Sequence, residues 1–248
     1  MSALDAFRDA VGESGAVCVR GGATRWDIGG APQPGTREVC APTGVKQHDP
    51  AEMTVRVGAG TPLKDLREAL FPTGQETNLE GPDKCTVGGV LAVGHNGLRR
   101  GRVGALTDSL LQADCVGSDG QAFTAGGPTV KNVTGYDLCR LLVGSLGTLA
   151  LMGEVILRTR PAPECVMWLQ GNTTPDRASA LCYRPACVLW DGATTYIRLE
   201  GYRVDVGQEA TALKGLGLSE VDGPPVLPPF RARWLGTLPE GGVLEVAT

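Results

Sequence analysis

Histidine is almost missing from this chain. The 248 residues include His48 and His95 and no others, and neither sits in an H-E-x-x-H setting. Two isolated histidines cannot make the usual zinc sets, which leaves no metal site to argue for. Paired cysteines are missing too. The eight cysteines stand at 18, 40, 85, 115, 139, 165, 182 and 187, with no C-x-x-C among them. An iron–sulfur cluster has no ligand set here. Scattered thiols in a chain without a secretion signal read as reduced thiols of the cytoplasm. No apolar run approaches the length of a membrane span. The opening "MSALDAFRDAVGESG" has neither the basic n-region nor the apolar h-region of a signal peptide. An excess of positive charge is absent as well. Lys and Arg total 23 against 27 Asp and Glu, a net charge of −4, which excludes a general nucleic-acid binder.

Glycine is what the chain has in quantity. Its 36 glycines are about twice ordinary usage, with no collagen period and no low-complexity block. Such density means either many tight turns or backbone brought close to a ligand. Composition leaves both open.

The pattern along the chain predicts alternating strands and short helices. Ser2 is the expected N-cap of a helix with Leu4, Phe7 and Val11 on one face. "AVCVRGG" (16–22) and "MTVRVGAG" (53–60) read as strands running into glycine turns. "TPLKDLREAL" (61–70) reads as a helix with Thr61 as N-cap, Pro62 at N1 and Leu63, Leu66 and Leu70 inward. A hairpin is expected over 109–126, turning at Ser118-Asp119-Gly120. "GYDLCRLLVG" (135–144) predicts a short helix, with Asp137 in its first turn and Gly144 at C′. "GEVILRTRP" (153–161) predicts a strand closed by Pro161.

The character changes near 163. Beyond it, a second hairpin about Asp191-Gly192 and a polar helix over 205–215 are expected. "DGPPVLPPFRAR" (222–233) reads as an extended surface segment. Trp168, Trp190 and Tyr196 are expected in the core. The reading is an α+β domain over 1–163 and a small, reduced α+β region over 164–248.

Three glycine clusters could cradle an anion with backbone N–H groups: "RGGATRWDIGG" (20–30), "GPDKCTVGGVLAVGHNG" (81–97) and the stretch ending "LVGSLGTL" (142–149). None is a dinucleotide fingerprint of the G-x-G-x-x-G kind. "GAGTPL" (58–63) lacks the third glycine, and "GSLGTL" (144–149) follows a helix rather than a strand. A Walker A motif is absent. Three local features stay open. Arg99, Arg100 and Arg102 are either a contact to phosphate or a partner, or, as is commoner, a solvated loop. His95 either touches a ligand or is an ordinary loop residue. Lys131 and Asn132 open the last motif, where they either hold the loop or form only a formal sequon.

Taken in order, "VRGGATRWDIGG", "VRVGAGTPLKDLREAL", "TVGGVLAVGHNG" and "KNVTGYDLCRLLVGSLGTLALMGEVILRTRPAPE" resemble the FAD-binding domain of the flavoproteins related to vanillyl-alcohol oxidase and para-cresol methylhydroxylase. Within them, the E subunits of bacterial glycolate oxidases are the most similar group. The resemblance covers about 1–165. It implies two α+β subdomains with the dinucleotide between them. The diphosphate would lie on the backbone of Arg20, Gly21, Gly22, Ala23 and Thr24. Gly81, Pro82, Thr86, Val87, Gly88 and Gly89 would approach the flavin and its ribityl chain. Asp108 matches a position near the cofactor, and Gly144, Ser145, Gly147 and Thr148 would line the cleft. Val155 would lie against the adenine end, while Leu138, Leu141 and Leu142 pack their helix.

Covalent attachment is not expected. "RGGATRW" has no histidine, and Cys85 in the second loop is not taken as a link. The resemblance further implies a catalytic FAD subunit and an iron–sulfur subunit as partners, with any membrane contact made through them. No histidine follows position 163, so no base for a 2-hydroxy acid is in view and the catalytic residues stay unassigned. The cap region is short for an E subunit. A structural subunit without FAD and a stand-alone small dehydrogenase are the competing readings.

Overall fold

The computed structural model describes residues 2–128, 136–223, 233–237 and 243–247. Helix α1 (Ala3–Val11) begins where its sequence says. Ser2 Oγ accepts from the Asp5 amide, and the Asp5 carboxylate accepts from the Ser2 amide, a reciprocal capping box. Phe7 and Val11 are buried, with Leu4 beside them.

Strands β1 (Val17–Val19) and β2 (Arg37–Val39) pair in parallel and hold the long loop between them. Then come β3 (Val45–Asp49), β4 (Thr54–Gly58) and α2 (Leu63–Leu70). Leu63, Leu66 and Leu70 are buried as the pattern predicts, but Thr61 does not cap this helix. Pro62 takes the N-cap place without a side-chain bond. The Thr61 hydroxyl is fully buried instead, donating to Gly58 O at 2.6 Å and accepting from Gly44 N at 2.8 Å, so it ties two loops together.

The short β5 (Gln75–Glu76) leads to α3 (Val87–Val93) and α4 (Arg100–Val103). Hairpin β6 (Leu110–Val116) and β7 (Ala122–Gly126) turns where expected. Helix α5 (Leu138–Leu142) starts at Asp137, whose carboxylate accepts from Arg140 N, and Gly144 follows its end at φ 87°. The part of this predicted helix at 135, with Lys131 and Asn132, lies outside the described residues. Only Cys139 and Leu142 of α5 are buried; Leu138 and Leu141 are exposed, because one side of the helix faces no other element among the described residues. β8 (Leu151–Arg158) passes directly into β9 (Arg160–Pro161), which pairs with β5. The main sheet runs in the order β3-β4-β8-β6-β7, antiparallel throughout. One core joins it to α1, α2 and α3.

A second core lies farther along the chain. It is built from β10 (Cys165–Gly171), α6 (Pro175–Ser179), β11 (Cys187–Trp190), β12 (Thr195–Gly201), α7 (Arg203–Gly215) and β13 (Ser219–Val221). The order β11-β12-β10-β13, all antiparallel, is a split βαβ sheet. Leu169, Ile197 and Leu199 meet Ala178, Val206, Ala210 and Leu213 on its helical face. Trp168 is buried, but Trp190 is exposed and Tyr196 half-buried, since each stands toward the outer hairpin end. The strands β14 (Arg233–Thr237) and β15 (Val243–Ala247) form a separate ribbon. The remainder of 224–248, including most of the proline-rich stretch, lies outside the described residues.

Arg99 overturns the solvated-loop reading. Its side chain is 6% exposed and pairs with Glu80 at 2.5 Å, Glu76 at 2.8 Å and Glu200 at 3.4 Å. Arg102 donates to the carbonyls of Arg184 and Glu200. The loop therefore joins the two cores.

Candidate functional site

A cleft of about 390 Å³ opens between the β1–β2 ribbon and the start of α3. That is within the usual range for small-molecule sites. The first wall is the loop after β1. Arg20, at its start, donates twice to the Glu38 carboxylate, at 2.8 and 3.0 Å, and lies 5.3 Å over the Trp26 ring. Ala23 holds φ 50°, a left-handed conformation rare outside glycine. Gly21 and Gly22 press against the second loop. A Cβ on Gly22 would overlap the Lys84 carbonyl oxygen, and one on Gly21 would overlap the Thr86 hydroxyl. Their missing side chains thus serve loop packing before they serve any ligand.

The second wall is the entry of α3. Thr86 caps this helix, its Oγ1 accepting from Gly89 N at 3.2 Å. Gly88 sits flat on β4's exit: its N–H donates to Ala59 O at 2.7 Å, and a Cβ there would meet the Ala59 Cβ at 2.9 Å. Cys85 Sγ lies 3.0 Å from Thr24 Oγ1 and bridges the two walls. The third wall is Leu146, Gly147 and Thr148. Leu146 holds φ 53°, and its N–H donates to Ala92 O at 2.9 Å, clamping this loop onto the end of α3.

Of the residues singled out in the sequence, Arg20, Gly21, Gly22, Ala23, Thr24, Thr86, Gly88, Gly89, Gly147 and Thr148 come together around the cleft. Others stand outside its lining. Val87 is fully buried in the core, and Val155 lies in mid-sheet between Val57 and Ala113. Gly81 and Pro82 form the turn before Cys85, with Gly81 O accepting from Arg67. Asp108 is ion-paired at the surface with Arg140, at 2.5 Å. Gly144 and Ser145 hold the third wall from behind, Gly144 N donating to Leu91 O and Ser145 Oγ to Leu142 O. His95 is exposed and outside the lining.

The cleft also gathers residues that stand within the quoted motifs but were not named as site residues: Arg25, Trp26, Leu151 and Met152. Arg25 had a legible signal, a basic residue placed directly after a glycine loop. Its Nη1 is buried with no hydrogen-bond partner among the described residues. Leu151 and Met152 had none, because their approach depends on where β8 begins.

A family described as "FAD binding domain" matches residues 3–126. The chain belongs to this family. FAD is its cofactor, and the cleft suits it: glycine-rich backbone walls, an apolar floor and a cation without a partner among the described residues fit a long dinucleotide with a dianionic middle. Over 237 residues the chain is 30% identical to glycolate oxidase subunit GlcE of Escherichia coli, covering 89% of this chain and 65% of that one. It is 39% identical over 105 residues to D-lactate dehydrogenase of Archaeoglobus fulgidus, covering 42% and 24%. Glycolate oxidase subunit GlcD of Bacillus subtilis is 32% identical over 148 residues, covering 56% and 31%. The chain thus spans less than two thirds of the length of these relatives. Among solved structures, alkyldihydroxyacetonephosphate synthase superposes with a TM-score of 0.70 over 90% of this chain and 50% of that one, at 17% identity. That likeness speaks for the fold alone.

Proposed function

We propose that this chain is the FAD-carrying E subunit of a glycolate-oxidising complex. Its reaction class is oxidation of a 2-hydroxy acid to the 2-oxo acid, glycolate to glyoxylate. The bound flavin supplies the two-electron redox chemistry. The observation that carries the reading is the cleft itself, assembled from three glycine walls in a chain similar to GlcE along most of its length. In this reading the domain spans 1–163 and the cap 164–248. The backbone of 20–24 holds the diphosphate, Thr86, Gly88 and Gly89 give the flavin its close approach, and Gly147 and Thr148 close the third side. Gly81, Pro82, Val87, Gly144 and Ser145 shape those loops from behind, with Asp108 and Val155 at the margins.

In this reading attachment is non-covalent: no histidine lines the cleft among the described residues, and of its cysteines, Cys18 and Cys85, the second lies against Thr24 Oγ1. The partners are a catalytic FAD subunit and an iron–sulfur subunit that takes the electrons onward. No helix among the described residues is long and apolar enough to cross a membrane. A cytoplasmic subunit that reaches a membrane through its partners fits this. The rival reading, a structural subunit that no longer binds FAD, has against it the Arg25 Nη1, buried without a partner among the described residues. The visible spectrum of the purified chain decides between them. Flavin bands that leave with the supernatant after acid precipitation support the proposal. A protein that stays colourless after incubation with FAD overturns it. Glycolate-dependent dye reduction on mixing with the partner subunits tests the reaction.

A further inference from the structure

We propose that Arg25 is the side-chain counter-charge of the cofactor's diphosphate, and that it makes the cleft discriminate phosphorylated flavins from riboflavin. The inference rests on the reading that the cleft holds FAD.

Among the described residues, the charged side chains of the cleft are Arg20 and Arg25, and no Asp or Glu lines it. Arg20 is already neutralised by the two hydrogen bonds to Glu38 and covered by Trp26. Arg25 has no such partner. It makes no ion pair among the described residues, and its Nη1 is shut away from water without an acceptor. A buried donor left without an acceptor is costly, and a charged one more so. Such a cost persists where a ligand removes it. The ligand that does so is an anion with several acceptor oxygens close to the 20–24 backbone. A diphosphate has this chemistry, and guanidinium is the side chain best matched to it. Riboflavin offers nothing to Arg25, so the residue contributes to FAD and not to the isoalloxazine.

The test titrates the flavin-free chain with FAD and with riboflavin, following quenching of flavin fluorescence, for the natural protein, Arg25→Met and Arg25→Lys. Arg25→Met is expected to weaken FAD about 10- to 100-fold, from a lost charge-assisted hydrogen bond. Riboflavin affinity should stay within about twofold, and Arg25→Lys should restore part of the FAD affinity. ADP should compete with FAD in the natural chain and poorly in Arg25→Met. The melting temperature of the flavin-free protein separates a binding role from a structural one. Removing an unpaired cation leaves it unchanged or raises it, while the shift produced by FAD shrinks. Equal FAD affinity in Arg25→Met overturns the inference and leaves the FAD reading standing. So does an equal loss for FAD and riboflavin, or a fall in the flavin-free melting temperature shared by both variants. Failure of the natural chain to bind FAD overturns both.

Discussion

Gly22 and Gly29 line the same cleft and differ in what a methyl group would meet. A Cβ on Gly22 overlaps the Lys84 carbonyl, whereas Gly29 has nothing within 4 Å. Gly22→Ala is therefore expected to destabilise by about 1–3 kcal/mol, the cost of forced repacking, and to abolish FAD binding because the first two walls separate. Gly29→Ala should change stability by less than about 0.5 kcal/mol and keep the flavin. Urea denaturation and the flavin spectrum of both variants check this; equal behaviour would detach loop packing from the site. The sequence made these glycines conspicuous without separating their roles, since the separation depends on a carbonyl some sixty residues away in the chain. The buried thiols carry a pH prediction. Burial pushes Cys115 up to about 12 from 9.0, and Cys139 and Cys187 up to about 11. A folded value above the unfolded one favours the folded state fully below pH 9.0, and that contribution is lost as pH rises toward 11 to 12. Stability should fall from pH 9 to 11, at most about 1.4 kcal/mol per pH unit for each thiol. Cys115→Ala should fall less steeply over the same window, as read by urea midpoints; an identical slope would assign the loss to other groups.

Helix α3 and the 144–148 loop cross where two glycines touch. Gly94 ends the helix at φ 68°, and a Cβ there would stand 2.6 Å from the Gly144 Cα. Gly144 N and Leu146 N donate to the last carbonyls of α3, which an ordinary helix end leaves to water. This contact sets the third wall of the cleft against the second. Gly94→Ala should cost about 3 kcal/mol, combining the left-handed backbone penalty with overpacking. It should also weaken FAD more than a surface variant of equal stability does, and thermal melting with FAD titration measures both. Elements of this kind were largely legible in the sequence. The N-cap at Ser2, the α2 leucines, both hairpins and Gly144 at C′ are local patterns that the chain writes within a few residues. What was not legible is which faces find neighbours. Leu138 and Leu141 have the composition of buried residues and are exposed, while Thr61 has the look of a cap and serves as a buried tie between loops. Burial of this sort depends on packing partners far away in the chain, and periodicity carries no record of them.

A cluster of charges joins the two hydrophobic cores. The face of the second sheet that carries Trp168, Arg198 and Glu200 turns away from its helices and receives Arg99 from the entry of α4. Glu200 is 1% exposed and lies among Arg99, Arg160 and Arg198, while Glu76 and Glu80 complete the cluster. Burial works against the Arg99 charge, but Glu76, Glu80 and Glu200 outweigh it and hold its pKa above the ordinary value. A cluster of this kind adds little over an apolar contact of the same size, yet breaking it is expensive, because each partner left behind is a buried unpaired charge. Arg99→Met should therefore cost about 3–5 kcal/mol, far more than its lost packing. The loss should fall on the junction and leave each core folded, since neither core contains Arg99. Calorimetry is expected to give one transition for the natural chain and two resolved transitions for Arg99→Met, with FAD shifting only the one that belongs to the first core. A single transition lowered in temperature would mean that the cores are coupled through something other than this cluster. Arg102, whose guanidinium bonds the Arg184 and Glu200 carbonyls across the same junction, would then be the next residue to change.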